Sequence, residues 1–248
     1  MIILVLAFLA SLIPSLGIYF WLKKRNSDPT YQTNCKNALF KGFLCVFPVL
    51  LCSCCFSIIG RILRLKDFNT YLYDVYYKFI VLAFAEELVK FMALRKLLKQ
   101  KSYSWLDVVI YMVLIGIGFE IIEAIPYAIG SQVGHMIVRG ITIMHGAMGF
   151  IMGYFYGKAL QRKKKGYAVL GFVLSWLMHG TYDFTLTDEI VEIADWIPII
   201  PVSLAAFSIV LIIWFVLFVR NAGKKETYTA LISQVTEEVD ASAKNSTV

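Results

Sequence analysis

Residues 106–129 read LDVVIYMVLIGIGFEIIEAIPYAI and decide the fold class of this chain. As a helix rising about 1.5 Å per residue, the run is long enough to cross the roughly 30 Å hydrocarbon core of a bilayer. It also contains Glu120 and Glu123, although carboxylates are rare and costly inside membrane spans. The segment therefore predicts a transmembrane helix whose carboxylates have a function.

Similar apolar runs recur along the chain, which is 59% hydrophobic and only 17% charged, with a mean hydropathy of +0.69. A single soluble domain has a lower apolar share, so this class is excluded. The runs lack the alternation of barrel strands, and backbone groups in lipid must pair within their own segment, so an all-α, polytopic transmembrane helical bundle of about seven spans is predicted. The predicted spans are Ile2 to Leu22, Ala38 to Gly60, Tyr77 to Leu94, Leu106 to Ile129, Met136 to Lys158, Tyr167 to Phe184 and Trp196 to Val219.

The basic residues that produce the +7 net charge cluster at the ends of these runs, which indicates membrane topology rather than a nucleic-acid partner. The positive-inside rule places the N-terminus outside and the C-terminus in the cytoplasm of a bacterial cell, with the chain multi-pass in the plasma membrane. Residues 1–225 are expected to form one membrane-embedded domain, and the polar residues 226–248 a disordered cytoplasmic tail. The segment Arg61 to Asp74 is expected to be an interfacial helix on the outer face or a plain loop.

Several ionisable residues lie within the predicted spans, and their three- and four-residue spacings place each set on one helix face. Counted from the outer ends of the spans, they fall at similar depth in the outer half of the membrane, so one water-filled site is predicted. His135 and Arg139 are expected to lie apart from it, in an outer loop and at the outer interface. The candidate residues are Glu86, Glu87 and Lys90 on the third span, Glu120 and Glu123 on the fourth, His145 on the fifth, and His179 and Asp183 on the sixth.

Glutamates and histidines in one dry pocket are suited to peptide hydrolysis, which needs an activated water, a polarised carbonyl and an acid for the leaving amine. We expect Glu86 to act as the general base. Glu87 is expected to be its structural neighbour, with Lys90 keeping one of the two carboxylates ionised. The simpler interpretation is a buried ion pair between Glu86 and Lys90, with His145 as a hydrogen-bonded packing residue.

Two histidines and one glutamate also match a ligand set of catalytic zinc. The expected metal ligands are Glu123, His145 and His179, whereas a glutamate mechanism without metal stays equally open. Asp183, one helical turn from His179, is expected to orient that imidazole.

The motifs Glu86-Glu87-x-x-Lys90 and Phe119-x-x-x-Glu123, followed by His145 and by His179 in His-x-x-x-Asp, resemble the PrsW family of intramembrane proteases. That family is related to the CAAX proteases and to bacteriocin-processing membrane proteases. The resemblance covers residues 77–184 and implies that Glu86, Glu87, Glu123, His145 and His179 are functional. Asp183 stands where related proteases often have Asn, and Glu120 is outside the family motif.

The resemblance also implies a substrate class, namely single-pass membrane proteins. The typical case is the first cut in an anti-sigma factor, which releases a sigma factor in a stress response. A cut near the outer face agrees with the depth of the candidate residues.

A proton- or ion-coupled transporter is the alternative from another class, because it also needs carboxylates and histidines at membrane depth. A transporter favours an inverted repeat and broken helices in matching halves, and the sequence shows neither. A catalytically silent relative of the proteases is a third possibility, disfavoured because the full set of glutamates and histidines is present.

Overall fold

The computed structural model describes the backbone of residues 2–99, 103–129 and 133–245. It describes the side chains in these ranges except for residues 2–4, 133–136, 139, 188–189 and 223–245. The described backbone contains helices and no strand, which confirms the predicted all-α fold. The elements are α1 (Ile2–Lys24), α2 (Pro29–Leu44), α3 (Val46–Ile62), α4 (Leu65–Phe68), α5 (Thr70–Tyr76), a π-helix (Tyr77–Phe84), α6 (Ala85–Leu98), α7 (Trp105–Ile129), α8 (Val133–Thr142), α9 (Met144–Arg162), α10 (Gly166–Thr185), α11 (Asp188–Val191) and α12 (Ile199–Asn245).

Four helical segments of the described chain are long and apolar enough to cross a membrane. The other predicted spans, which carry most of the ionisable residues, are also helical in the structure. The number of seven spans and the orientation of the termini stay predictions. The four segments are Val5–Lys24, Pro29–Ile62, Trp105–Ile129 and Ile199–Ala222.

The second predicted span begins earlier than its apolar run indicates. Asp28 accepts hydrogen bonds from the backbone nitrogens of Thr30 (3.0 Å) and Tyr31 (3.3 Å), and Pro29 occupies the first turn. This is a typical helix start. The helix thus begins before the predicted start of the span at Ala38, because its polar first half is stabilised by its cap and by its buried face.

The central helix of the bundle is α7, whose residues 108–121 are all buried. It packs against α2 on one side and α9 on the other. Glycines allow these close approaches: a Cβ on Gly42 of α2 would lie 2.9 Å from the Cα of Gly118, and a Cβ on Gly116 would collide with the His145 carbonyl group. Small residues thus bring the backbones of three helices together, as at membrane helix interfaces in general.

The fifth predicted span, Met136 to Lys158, is not one helix. Ile143 separates α8 from α9 with a left-handed backbone (φ 46°, ψ 52°), which is unusual and strained for a β-branched residue. The prediction of a continuous helix was wrong here because hydropathy does not register a backbone break inside an apolar run. The break makes His145 a first-turn residue of α9.

The segment between α3 and the π-helix is helical rather than a plain loop. It contains the short helices α4 and α5, and Asn69 caps α5 by accepting from the backbone nitrogen of Leu72 at 2.9 Å. Phe68 in this segment is 80% exposed, as expected of an apolar side chain that meets lipid. Its position at the membrane interface stays a prediction.

The chain divides into a compact unit, Met1–Ile212, and a second unit, Ile213–Val248. The second unit consists of the later part of α12, whose backbone is helical to Asn245. The side chains of residues 223–248 lie outside the described residues. The sequence-based division into residues 1–225 and a separate disordered tail stays a prediction.

We predict that Gly42→Ala lowers the free energy of unfolding by about 1–3 kcal/mol, the usual cost of overpacking a tight contact. The added methyl group would meet the backbone of α7, which cannot rotate away as a side chain can. Thermal unfolding of the purified protein in detergent measures the change. Gly17→Ala is the matched control, because a Cβ there meets nothing within 4 Å. Equal stability of both variants would contradict the close packing of α2 on α7.

Candidate active site

Side chains from four helices meet at one buried cluster within the unit Met1–Ile212. This convergence agrees with the single site predicted from sequence, since every candidate residue has at least one other as a neighbour. Glu86, Glu87 and Lys90 come from α6, Glu120 and Glu123 from α7, His145 from α9, and His179 and Asp183 from α10.

An eight-residue π-helix lies directly before α6, which begins one residue before the two adjacent glutamates. Its wider turns leave carbonyl groups for side chains of neighbouring helices: Ser53 of α3 donates to the Val81 carbonyl (2.7 Å), and Trp176 of α10 donates to the Phe79 carbonyl (2.6 Å). Such segments occur frequently at functional sites. The π-helix is therefore fixed from two sides.

Lys90 lies at the centre of the cluster and is only 1% exposed. Its Nζ is 2.6 Å from Glu87 Oε1 and 2.9 Å from His145 Nδ1, and it lies 4.6 Å from the ring centre of Phe119. An ammonium group only donates hydrogen bonds, so His145 Nδ1 accepts, and the proton of the neutral imidazole lies on Nε2. Lys90 thus pairs with Glu87 and sets the tautomer of His145.

His179 is held by the same carboxylate that pairs with Lys90. Its Nδ1 lies 3.0 Å from Glu87 Oε1, so Nδ1 donates to this carboxylate, and in the neutral imidazole Nε2 carries the lone pair. Asp183 Oδ2 lies 3.4 Å from Nε2. The predicted contact between Asp183 and His179 is present, but Glu87 occupies the nitrogen at which an orienting carboxylate is expected.

Glu86 differs from its neighbour Glu87 because its Oε2 is buried and has no hydrogen-bond partner among the described residues. This oxygen lies 3.9 Å from His145 Nε2, 3.8 Å from His179 Nε2 and 3.7 Å from Lys90 Nζ. An unpartnered buried carboxylate oxygen is costly and needs an explanation. A metal ion held between this oxygen and the two imidazole nitrogens would supply the missing partner.

Glu86, His145 and His179 could hold a metal ion, since one ligand atom from each lies within 4.8 Å of the other two. Ligand atoms about 2.1 Å from one tetrahedral ion are about 3.4 Å apart. Glu86 Oε2 lies 3.8–3.9 Å from each imidazole nitrogen, and the three ligand atoms all lie within 4.8 Å of one another, so they would have to move closer to hold an ion. His179 has its second nitrogen on a carboxylate, the usual support of a metal-bound histidine. The donor set therefore fits a metal.

Glu123 does not lie near both histidines, as a metal ligand shared with them would. Its Oε2 lies 2.5 Å from His145 Nε2, and its side chain is 20% exposed. Glu123 thus accepts the hydrogen bond from Nε2 of His145, and a metal ion on that nitrogen would replace this contact. The assignment of Glu123 as a ligand stays a prediction.

Glu120 has a structural role that the sequence does not indicate. Its Oε2 accepts a hydrogen bond from the backbone nitrogen of His145 at 2.8 Å, just after the left-handed Ile143. A free N–H at the start of a helix needs such an acceptor, which is usually local in sequence. Here the acceptor comes from another helix, so no capping motif could have revealed it.

The contact between Lys90 and His145 was also not predicted. Spacing relates residues on one helix, whereas this pair is 55 residues apart and depends on how two helices pack. The side chains of His135 and Arg139, expected to lie apart from the site, are outside the described residues.

Comparison with known proteins identifies the chain's relatives. Residues 37–219 match the family model described as PrsW family intramembrane metalloprotease, which is most of the chain and all of the cluster. The chain belongs to the PrsW family. It is therefore a membrane-embedded peptidase and a multi-pass bacterial membrane protein, and membership supports proteolysis over transport.

Several PrsW proteases from bacteria are similar to this chain. Protease PrsW of Bacillus subtilis is 27% identical over 198 residues, covering 76% of this chain and 84% of that protein. Protease PrsW of Clostridioides difficile is 29% identical over 199 residues, covering 73% and 79%. Protease PrsW of Oceanobacillus iheyensis is 28% identical over 187 residues, covering 71% and 81%. No solved structure matches the chain.

We predict that Glu120→Ala destabilises the start of α9 by about 1–2 kcal/mol and also reduces proteolytic activity, because His145 loses its backbone anchor. Glu120→Gln should retain most of both, since its amide oxygen can still accept. Thermal unfolding and activity per folded molecule measure the two effects.

Asp107→Ala is the matched control for this prediction. Asp107 also caps a helix, accepting from the backbone nitrogen and Oγ of Ser104 at 3.1 and 2.8 Å, but at the opposite end of α7 from Glu120. It should lower stability without a specific loss of activity. Equal loss of activity in both variants would contradict a positioning role for Glu120.

Proposed function

We propose that this member of the PrsW family hydrolyses a peptide bond of single-pass membrane proteins with Glu86, His145 and His179 as metal ligands and Glu123 as the general base. The observation that supports this assignment is the buried, unpartnered Glu86 Oε2 between the two imidazole Nε2 atoms. The family description as a metalloprotease supports a metal, and the donor set of one carboxylate and two imidazoles favours zinc.

This proposal exchanges the roles that sequence alone indicates for two glutamates. Glu86 is the less exposed of the two, at 11% of its side chain against 20% for Glu123, and it lies near both histidines. Glu123 lies near one histidine and lines the same cavity of about 520 Å³ as Glu86. A base must reach the attacking water, whereas a ligand must face the other ligands, so Glu123 is better placed as the base.

A metal held by these ligands would make a bound water more acidic and polarise the scissile carbonyl. Glu123 takes one proton from the attacking water, whose oxygen bonds to the carbonyl carbon, and then returns that proton to the amine as the carbon–nitrogen bond breaks. The products are a carboxylic acid, which keeps the second proton of the water, and an amine; the two then ionise to a carboxylate and an ammonium group. Glu87 and Lys90 hold the histidines in place throughout and do not exchange protons with the substrate.

The proposed cut lies in the outer half of the membrane, on the basis of the orientation predicted from the basic clusters. An anti-sigma factor is the proposed natural substrate, in a first cleavage that starts a stress response. The family resemblance supports this choice. A panel of single-span anti-sigma factors in liposomes, with fragments identified by mass spectrometry, tests it, and cleavage of unrelated reporters alone would contradict it.

Metal content and cleavage together test the residue roles. We predict that Glu86→Gln and His179→Ala reduce both the bound metal, measured by mass spectrometry of the purified protein, and the cleavage of a single-span reporter. Glu123→Gln should retain the metal and lose about 100-fold or more in cleavage rate, as expected when a general base is removed.

The exposed Glu192 provides the control, since Glu192→Gln should change neither readout. If Glu123→Gln lost the metal and Glu86→Gln retained it, Glu123 would be the metal ligand and Glu86 the general base. A wild type that contains no metal and cuts in the presence of a chelator would support glutamate chemistry instead.

A further inference from the structure

A cavity of about 520 Å³ extends from the cluster along α3, between the π-helix and the second half of α7. Glu86 and Glu123 lie in its wall. One face of α3 borders it for about four turns, from Val46 to Arg61, roughly 22 Å at 1.5 Å per residue. The cavity is thus an elongated groove that ends at the candidate catalytic residues, and we refer to it as the α3 groove.

The two ends of the groove differ in the charged residues that line them. α3 and the segment that contains the π-helix run in opposite directions, as the hydrogen bonds from Tyr76 Oη to the Phe56 carbonyl and from Ser53 Oγ to the Val81 carbonyl show, both 2.7 Å. Glu86, further along the same segment, therefore lies towards the start of α3. Arg61 lies at the far end of the groove.

The residues that line the groove indicate which kind of ligand it can bind. Its walls are mainly apolar, with Val49, Leu82, Phe119 and Ile122 among them, and Leu50 and Ile58 on its α3 side are 60% and 55% exposed. Such a surface fits an apolar polypeptide segment that arrives from the lipid. Arg61 is the only cationic residue of the lining and forms no ion pair with a carboxylate of the described chain.

We propose that the α3 groove binds the apolar segment of the substrate and that Arg61 pairs with an acidic side chain of that segment. The inference rests on the proposed function and specifies its substrate class. From Val49 to Arg61 the groove measures about 18 Å, which five or six residues of extended chain cover. The preferred substrates therefore have Asp or Glu about five or six residues from the cleaved bond.

A charge exchange tests the pairing with Arg61. Single-span reporters with Glu or Lys at each position from four to eight residues on either side of the cut are compared. Arg61→Glu should lower kcat/KM for the best Glu reporter about tenfold, mainly through KM, and should raise it for the matching Lys reporter. Arg64→Glu is the matched control, because Arg64 pairs with Asp67 at 3.2 Å and does not line the groove. Equal effects of Arg61→Glu on the Glu and Lys reporters would overturn the pairing.

Two adjacent cysteines provide a second measurement that does not need cleavage. Both cysteines are exposed, but only Cys54 lines the groove. Variants that retain only one of the two are made in the Glu123→Gln background and labelled with a membrane-permeant maleimide, with and without the Glu reporter. The reporter should slow labelling of Cys54 at least threefold and leave Cys55 unchanged.

This second measurement separates the two proposals. A wild type that cuts no reporter counts against the proposed function, whereas protection of Cys54 alone would still support the groove as the binding site. Equal labelling of Cys54 with and without reporter would overturn the groove, even if cleavage occurs.

Discussion

The buried ion pair between Lys90 and Glu87 is the constraint on which the rest of the site depends. An ammonium group that is 1% exposed must have its charge and its donors satisfied, and the Nζ of Lys90 finds both a carboxylate and an imidazole. Glu87 in turn accepts from His179. Two residues one turn apart on α6 therefore fix the histidines of α9 and α10, and removing either would leave an uncompensated charge in an apolar interior.

Close helix packing makes this network possible. The donor of Lys90 and the ring of His145 come within 2.9 Å only because α6 and α9 both lie near α7, and α7 permits that approach through Gly116, next to the His145 carbonyl group. The strained backbone at Ile143 also helps to position His145 in the site. It starts a new helix at the site, so that the first-turn nitrogen of His145 faces Glu120.

Within the cluster, chemical roles follow from which atoms are already occupied. Glu87 has its oxygen shared between Lys90 and His179, so it is committed to structure. Glu86 has an oxygen with no hydrogen bond from any described group, and Glu86 and Glu123 both line the α3 groove. A peptidase inside a membrane needs both kinds of residue, because some of its charged side chains must stabilise the fold while others remain accessible to water and substrate.

The sequence by itself determined the membrane environment, the all-α fold and the identity of the candidate residues. Hydropathy and spacing are properties of single segments, and Glu86, Glu87, His145 and His179 stand out because ionisable groups are costly in apolar runs. The family resemblance, which the family model confirms, also lay within the sequence. The early start of α2 was readable in principle, because Asp28 and Pro29 form a local helix start.

Only the tertiary structure decided the pairing of these residues. The contacts of Lys90 with His145 and of Glu120 with the backbone of His145 join residues 55 and 25 positions apart. Such contacts depend on how helices rotate and approach, which the order of residues along one helix does not specify. The break at Ile143 was likewise not predictable from the sequence, because nothing in the local sequence favours a left-handed isoleucine.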